Sequence, residues 1–169
     1  MSVSTPLVSL KGRALRLLGN SEHSRLELHR KLKPHAADHT ELDAVLDDLQ
    51  AKGFISEQRV VESVIHRRAG NFGAARIRQE LQQKGLAAQS ISGAVAELQA
   101  TELVRAKAVW ARKFANRGAA PGKSVAECAK QMRFLAARGF ADDIIRRVIR
   151  GVPDDGPQQP WQESPAGDA

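Results

Sequence analysis

A chain of 169 residues with 4% aromatics and no Tyr argues against a large, aromatic-rich β-sandwich core. It has no apolar run near the ~18 residues of a membrane helix, its start MSVSTPLVSLKGR lacks a secretory apolar region, and its single Cys cannot form an internal disulfide, so a reducing cytoplasm is the expected setting. Its 26 Lys and Arg against 19 Asp and Glu leave +7, placed unevenly: residues 1–55 carry +1, 56–115 +5, 116–151 +5 and 152–169 −4, so a body of +11 suits a polyanionic partner, nucleic acid above all.

Ala, Leu, Arg, Glu and Gln dominate and favour helix. RALRLL, residues 13–18, reads as a short apolar helix broken at Gly19-Asn20-Ser21. Ser24 and Glu27 have the spacing of a capping box for SRLELHRKL, which Pro34 stops. Thr40 is the predicted cap of TELDAVLDDLQAKG, where Leu42, Val45, Leu46 and Leu49 share a face and Gly53 closes the helix. A second group follows. Ser56 caps SEQRVVESVIHRRAG with Val60, Val61, Val64 and Ile65 inward, GNFG breaks it, GAARIRQELQQKG is next, and a third helix runs from Gln89 to about Gln99. The third group is ELVRAKAVWARKF, a Gly/Pro-rich break at 118–122, SVAECAKQMRFLAARG capped by Ser124, and ADDIIRRVIRG. Residues 152–169, rich in Pro, Gly and Asp, read as disordered.

The last two groups repeat one helix end. Arg76, Leu81, Lys84, Gly85 and Leu86 correspond to Lys130, Leu135, Arg138, Gly139 and Phe140, each 54 residues on, and Ile91 and Ala94 to Ile145 and Val148. The first group matches more loosely: Leu28 and Lys31 lie 53 residues before Leu81 and Lys84. The expected fold is therefore all-α. Three tandem three-helix, helix-turn-helix-like repeats at 13–55, 56–101 and 102–151 form an elongated, curved body, between an N-terminal tail at 1–12 and an acidic tail at 152–169.

SEQRVVESVIHRRAGNFGAARIRQELQQKG, AVWARKF and KQMRFLAARGF resemble the bacterial RecX family over residues 13 to 151. The motifs are Arg68 with Gly73, Glu80-Leu81 with Lys84-Gly85, Arg112-Lys113-Phe114, and Arg133-Phe134-Leu135 with Arg138-Gly139-Phe140. One departure is Ser56-Glu57-Gln58-Arg59-Val60, where the family commonly opens with Asp and an aromatic. The resemblance implies a non-enzymatic cytoplasmic regulator of the RecA recombinase. Such proteins lie in the groove of the RecA–single-stranded DNA filament and limit its growth or activity in DNA repair and recombination.

The candidates for partner or DNA contact are Arg67, Arg68, Arg76, Arg78, Arg112, Lys113, Arg117, Lys123, Lys130, Arg133 and Arg138, since Arg forks suit both phosphate and carboxylate. Many of these also fit solvated faces or pairs one turn apart, such as Glu80 with Lys84 or Arg76. GNFG before a helix offers N–H groups to a phosphate, but a tight turn is the better reading, and with no strand before it a P-loop or Rossmann assignment fails. Trp110 suits base stacking and, more readily, core packing with Phe114, Phe134 and Phe140. His35 and His39 lack a third metal ligand, and Cys128 lacks a matched His. The sequence offers no catalytic constellation, cofactor motif or metal site. A monomer with weak, non-specific affinity for single strands fits the filament reading. The alternative is a sequence-specific helix-turn-helix transcriptional regulator, which usually reads a duplex as a symmetric dimer.

Overall fold

The structure, a computed structural model, describes residues 9–115 and 124–151. Among these the regular structure is entirely helical. The order is α1 (Leu10–Asn20), α2 (Arg25–Leu32), α3 (His39–Ala51), α4 (Glu57–Arg68), α5 (Ala74–Gln83), α6 (Ala88–Ala100), α7 (Glu102–Phe114), α8 (Val125–Ala136) and α9 (Asp142–Arg150).

The caps largely follow the sequence. Ser24 and Glu27 form the reciprocal capping box of α2, and Ser56 and Ser124 accept from Arg59 and Glu127 N–H at the starts of α4 and α8. Two expectations need correction. The first helix runs from Leu10 to Asn20 rather than over 13–18: Ser9 caps its start by accepting from Gly12 N–H, and Gly19 and Asn20 continue it to a C-cap at Ser21. The third is capped by Asp38, not Thr40: the Asp38 carboxylate accepts from Glu41 N–H at 2.8 Å and places Thr40 inside the helix. The Gly/Pro-rich break at 118–122 and the segment 152–169 lie outside the described residues.

Each triplet of helices has its own apolar core. The first gathers Leu10, Ala14, Leu28, Leu32, Leu42, Leu46, Leu49 and Ile55. The second holds Val60, Val64, Ile77, Leu81, Ile91, Val95 and Leu98, and the third Leu103, Ala106, Val109, Leu135, Phe140, Ile145 and Val148. Burying one such Val, Leu, Ile or Phe side chain stabilises by about 1.5–3 kcal/mol.

Each repeated helix end closes with a left-handed glycine. Gly85 (φ 71°) and Gly139 (φ 77°) donate to Gln82 and Ala136 carbonyls at 2.9 Å. Leu86 and Phe140 donate back to Leu81 and Leu135 and tuck into their cores. These ends also form the joints between units. At the first joint the end of α5 sits on the start of α2: Ser24 Oγ donates to Lys84 O at 2.6 Å, and Lys84 Nζ pairs with Glu27. A Cβ on Gly85 would lie 2.6 Å from Leu26 Cδ2. His23 is buried here beside Glu27, and burial, reinforced by Lys31, holds its pKa below the ordinary value.

At the second joint the end of α8 sits on the start of α5. Gly73 N–H donates to Arg138 O at 2.9 Å and Ala75 N–H to Gly139 O at 3.3 Å. A Cβ on Gly73 would lie 2.1 Å from Gly139 O, and one on Gly139 would lie 2.6 Å from Arg76 Cβ. The second helices of the three units are thus linked end to start, α8 on α5 and α5 on α2.

Gly53 separates the two roles of these glycines, since it has φ 74° but nothing within 4 Å of where a methyl would sit. Gly53→Ala should cost only the left-handed strain, about 1–2 kcal/mol. Gly139→Ala should cost clearly more in urea unfolding, because it also drives a methyl into Arg76. Equal losses would show that the second joint bears no load.

Candidate nucleic-acid interface

The first three N–H groups at the start of α5, those of Gly73, Ala74 and Ala75, all go to protein acceptors. Besides the two carbonyls from α8, Ala74 N–H donates to Glu102 Oε1 at 2.9 Å, and Glu102 is 3% exposed. Gly73 has no side chain to cap its own helix, so a carboxylate from α7 does it. Gly70 O and Asn71 Oδ1 accept from Arg112 Nη2. GNFG is therefore a docking turn, the tight-turn reading rather than a phosphate cradle: Asn71 and Phe72 N–H donate to Arg68 O and Gly73 N–H to Arg138 O.

Arg105 completes the stitching. Its guanidinium donates to Phe72 O and Leu98 O at 2.7 Å and to Ala69 O at 3.1 Å. Burial pulls its pKa below the ordinary value and the Glu102 carboxylate opposes that shift. The pair escaped the sequence reading. The available signal was position: Glu102 lies four and seven residues before Ala106 and Val109, on the buried stripe of α7, where a charge needs partners.

Around this joint the fold gathers cations and aromatic rings. Phe72 is flanked by Arg68 at 5.6 Å and Arg76 at 5.3 Å, and Phe134 by Arg138 at 3.7 Å and Lys113 at 6.0 Å. The Gly73–Arg138 backbone bond joins the two clusters. Beyond Phe134 a cleft of about 380 Å³ is lined by Lys113, Lys130, Arg133, Phe114 and Phe134, with Glu127 at its wall. Phe114 and Phe134 meet edge to face at 5.1 Å, and Trp110 donates to Gln131 at 2.9 Å, which fixes it as a packing residue of α7 and α8.

The predicted contact residues divide as follows. Arg68 is paired with Glu80 at 2.9 Å, which replaces the expected pairing of Glu80 with Lys84 or Arg76. Arg112 is tied to the GNFG turn, and Arg67 donates to Ser63 O one turn back on α4. Arg78 lies in a separate cleft with Gln82, Leu86 and Ile91. Arg76, Lys113, Lys130 and Arg133 are exposed and have no acidic partner within 4 Å among the described residues, and Arg138 is half-buried on Phe134. Arg117 and Lys123 lie outside the described residues.

This file of three-helix units has known counterparts. The family model for the second three-helix domain of RecX matches residues 56–95, and that for the third matches residues 100–149. The chain belongs to the RecX family. Regulatory protein RecX of Leptothrix cholodnii is 53% identical over 150 residues, covering 89% of this chain and 93% of that one. The regulatory protein RecX of Ralstonia pickettii is 46% identical over 145 residues, 86% and 89% of the two chains. The crystal structure of RecX from Lactobacillus salivarius superposes with a TM-score of 0.70 at 20% identity, over 84% of this chain and 93% of that one, and so shares the fold. As a RecX-family member the chain is a regulatory protein. No helix among its described residues is long and apolar enough to cross a membrane.

Glu102 gives a prediction. Glu102→Ala leaves the Ala74 N–H without its acceptor and the half-buried Arg105 guanidinium without a neighbouring carboxylate, and should destabilise by about 2 kcal/mol in urea unfolding. Glu102→Gln keeps an acceptor oxygen and should cost about half as much. Identical losses would mean that the charge, not the cap, is what matters.

Proposed function

We propose that this chain is a non-enzymatic regulator that binds the RecA–single-stranded DNA filament and limits its growth and ATP hydrolysis. The reading rests most on one observation: from two successive units, Arg76 and Arg138 meet at the second joint, and Lys113, Lys130 and Arg133 line the cleft on the other side of Phe134. The kinship with regulatory RecX proteins supports it. A filament is a repeating anionic surface, and a file of units in fixed register offers it repeated weak contacts. Taking 13–55, 56–101 and 102–151 as the units, each contact raises the effective concentration of the next, so avidity exceeds the affinity of any one unit. The contact with single-stranded DNA itself is weak and indifferent to sequence, the chain acts as a monomer in the cytoplasm, and neither cofactor nor metal takes part.

The test is the rate of single-strand-dependent ATP hydrolysis by RecA. The chain should lower it well below one copy per recombinase. A Lys130→Glu/Arg133→Glu chain should need roughly tenfold more protein for half the effect, whereas Lys31→Glu, exposed on the first unit, should shift it less than about twofold. No effect at equimolar protein, with DNA binding intact, overturns the proposal.

A further inference from the structure

The third unit carries a surface suited to a segment of this same chain. α9 packs against α7 and α8, and Ile149 lies in one core with Phe134 and Trp110. Gly151, two residues on, ends α9 in a left-handed turn. Everything after it, residues 152–169, contains Asp154, Asp155, Glu163 and Asp168, no Lys or Arg, and one aromatic, Trp161. The cleft beside Phe134 has complementary chemistry: Lys113, Lys130 and Arg133 around the Phe114 and Phe134 rings. Reach is ample, since the ten residues from Gly151 to Trp161 extend up to about 33 Å.

We infer that the 152–169 segment docks on the α7–α8 cleft as an internal mimic of the polyanionic partner, with Trp161 against the Phe134 side and its carboxylates on Lys113, Lys130 and Arg133. The inference rests on the proposed function only in that the same cations meet the partner. Docking then competes with the partner and sets a threshold for binding. The segment offsets four of the body's charges: without it the chain rises from +7 to +11. Pairing of oppositely charged side chains is sensitive to salt, so the competition is strongest at low ionic strength.

The experiment uses the free chain and a fluorescent oligo(dT), with no recombinase, so its failure is separate from failure of the filament reading. Four proteins are compared at about 50 mM and 500 mM salt: the full chain, a chain ending at Gly151, a full chain with Asp154→Asn, Asp155→Asn, Glu163→Gln and Asp168→Asn, and a Trp161→Ala chain. At low salt the first two variants should bind at least about threefold more tightly than the full chain. Trp161→Ala, which keeps every charge, should gain part of that, and the differences should shrink at high salt. Equal affinities for all four overturn the proposal. So does a gain from removing the charges with none from Trp161→Ala, because the segment then acts through net charge alone and does not dock. A gain on truncation that neutralisation fails to reproduce also overturns it.

Discussion

The structure depends on one contact made twice: the end of a helix resting on the start of another. Its requirements are strict. The terminal carbonyls must point outward, which takes a residue in the left-handed region after the last turn, and at the second joint the two backbones must also approach within the radius of a methyl group. Gly85 and Gly139 meet the first requirement, and Gly73 and Gly139 meet the second. Because the contact joins the carbonyl-rich end of one helix to the N–H-rich end of the next, opposite partial charges face each other, and at the second joint orphan groups of both helices are satisfied.

α5 is the middle link. Its start receives Arg138 O, Gly139 O and the Glu102 carboxylate, and its last turn presents Lys84 O to Ser24 Oγ. The two joints differ in chemistry. The first uses a hydroxyl and a shielded ion pair, Lys84 with Glu27, both side chains largely removed from solvent. The second uses backbone donors, and around it Arg105 and Arg112 collect four backbone carbonyls and an Asn side chain. The second joint is thus the more heavily fastened, and it is also where the basic residues collect. A cation on a rigid frame loses less conformational freedom on binding than one on a free loop.

Much of the fold was legible in the sequence because its signals are local. Ser24 with Glu27, Ser56 and Ser124 announce helix starts within four residues, and the spacing of Leu42, Leu46 and Leu49 announces a buried face. The 54-residue echo of Leu81-Lys84-Gly85 at Leu135-Arg138-Gly139 revealed a repeated element. Its purpose was hidden, because the receiving residues, Ser24 and Gly73, are 60 and 65 positions away in the chain. For the interface, residue types were readable but their obligations were not. Arg112 and Arg68 look as free as Lys130 and Arg133, yet a loop carbonyl and Glu80 occupy them. Thr40 lost its cap role to Asp38 because Asp two residues earlier offers an equally short reach to the first free N–H groups.

Under the proposed function, joint and partner contact meet in a single idea: the units act together only while the joints hold their register. The most direct measurement is the affinity of a Gly73→Ala chain for RecA-coated single-stranded DNA. Gly73 has φ −77° and ψ 169°, which suit Ala, so the change acts only by placing a methyl 2.1 Å from Gly139 O and wedging the third unit from the second. Every cation remains. The account predicts a chain that keeps its helical content and binds about tenfold more weakly or worse. A folded Gly73→Ala chain that binds as tightly as the parent would contradict it.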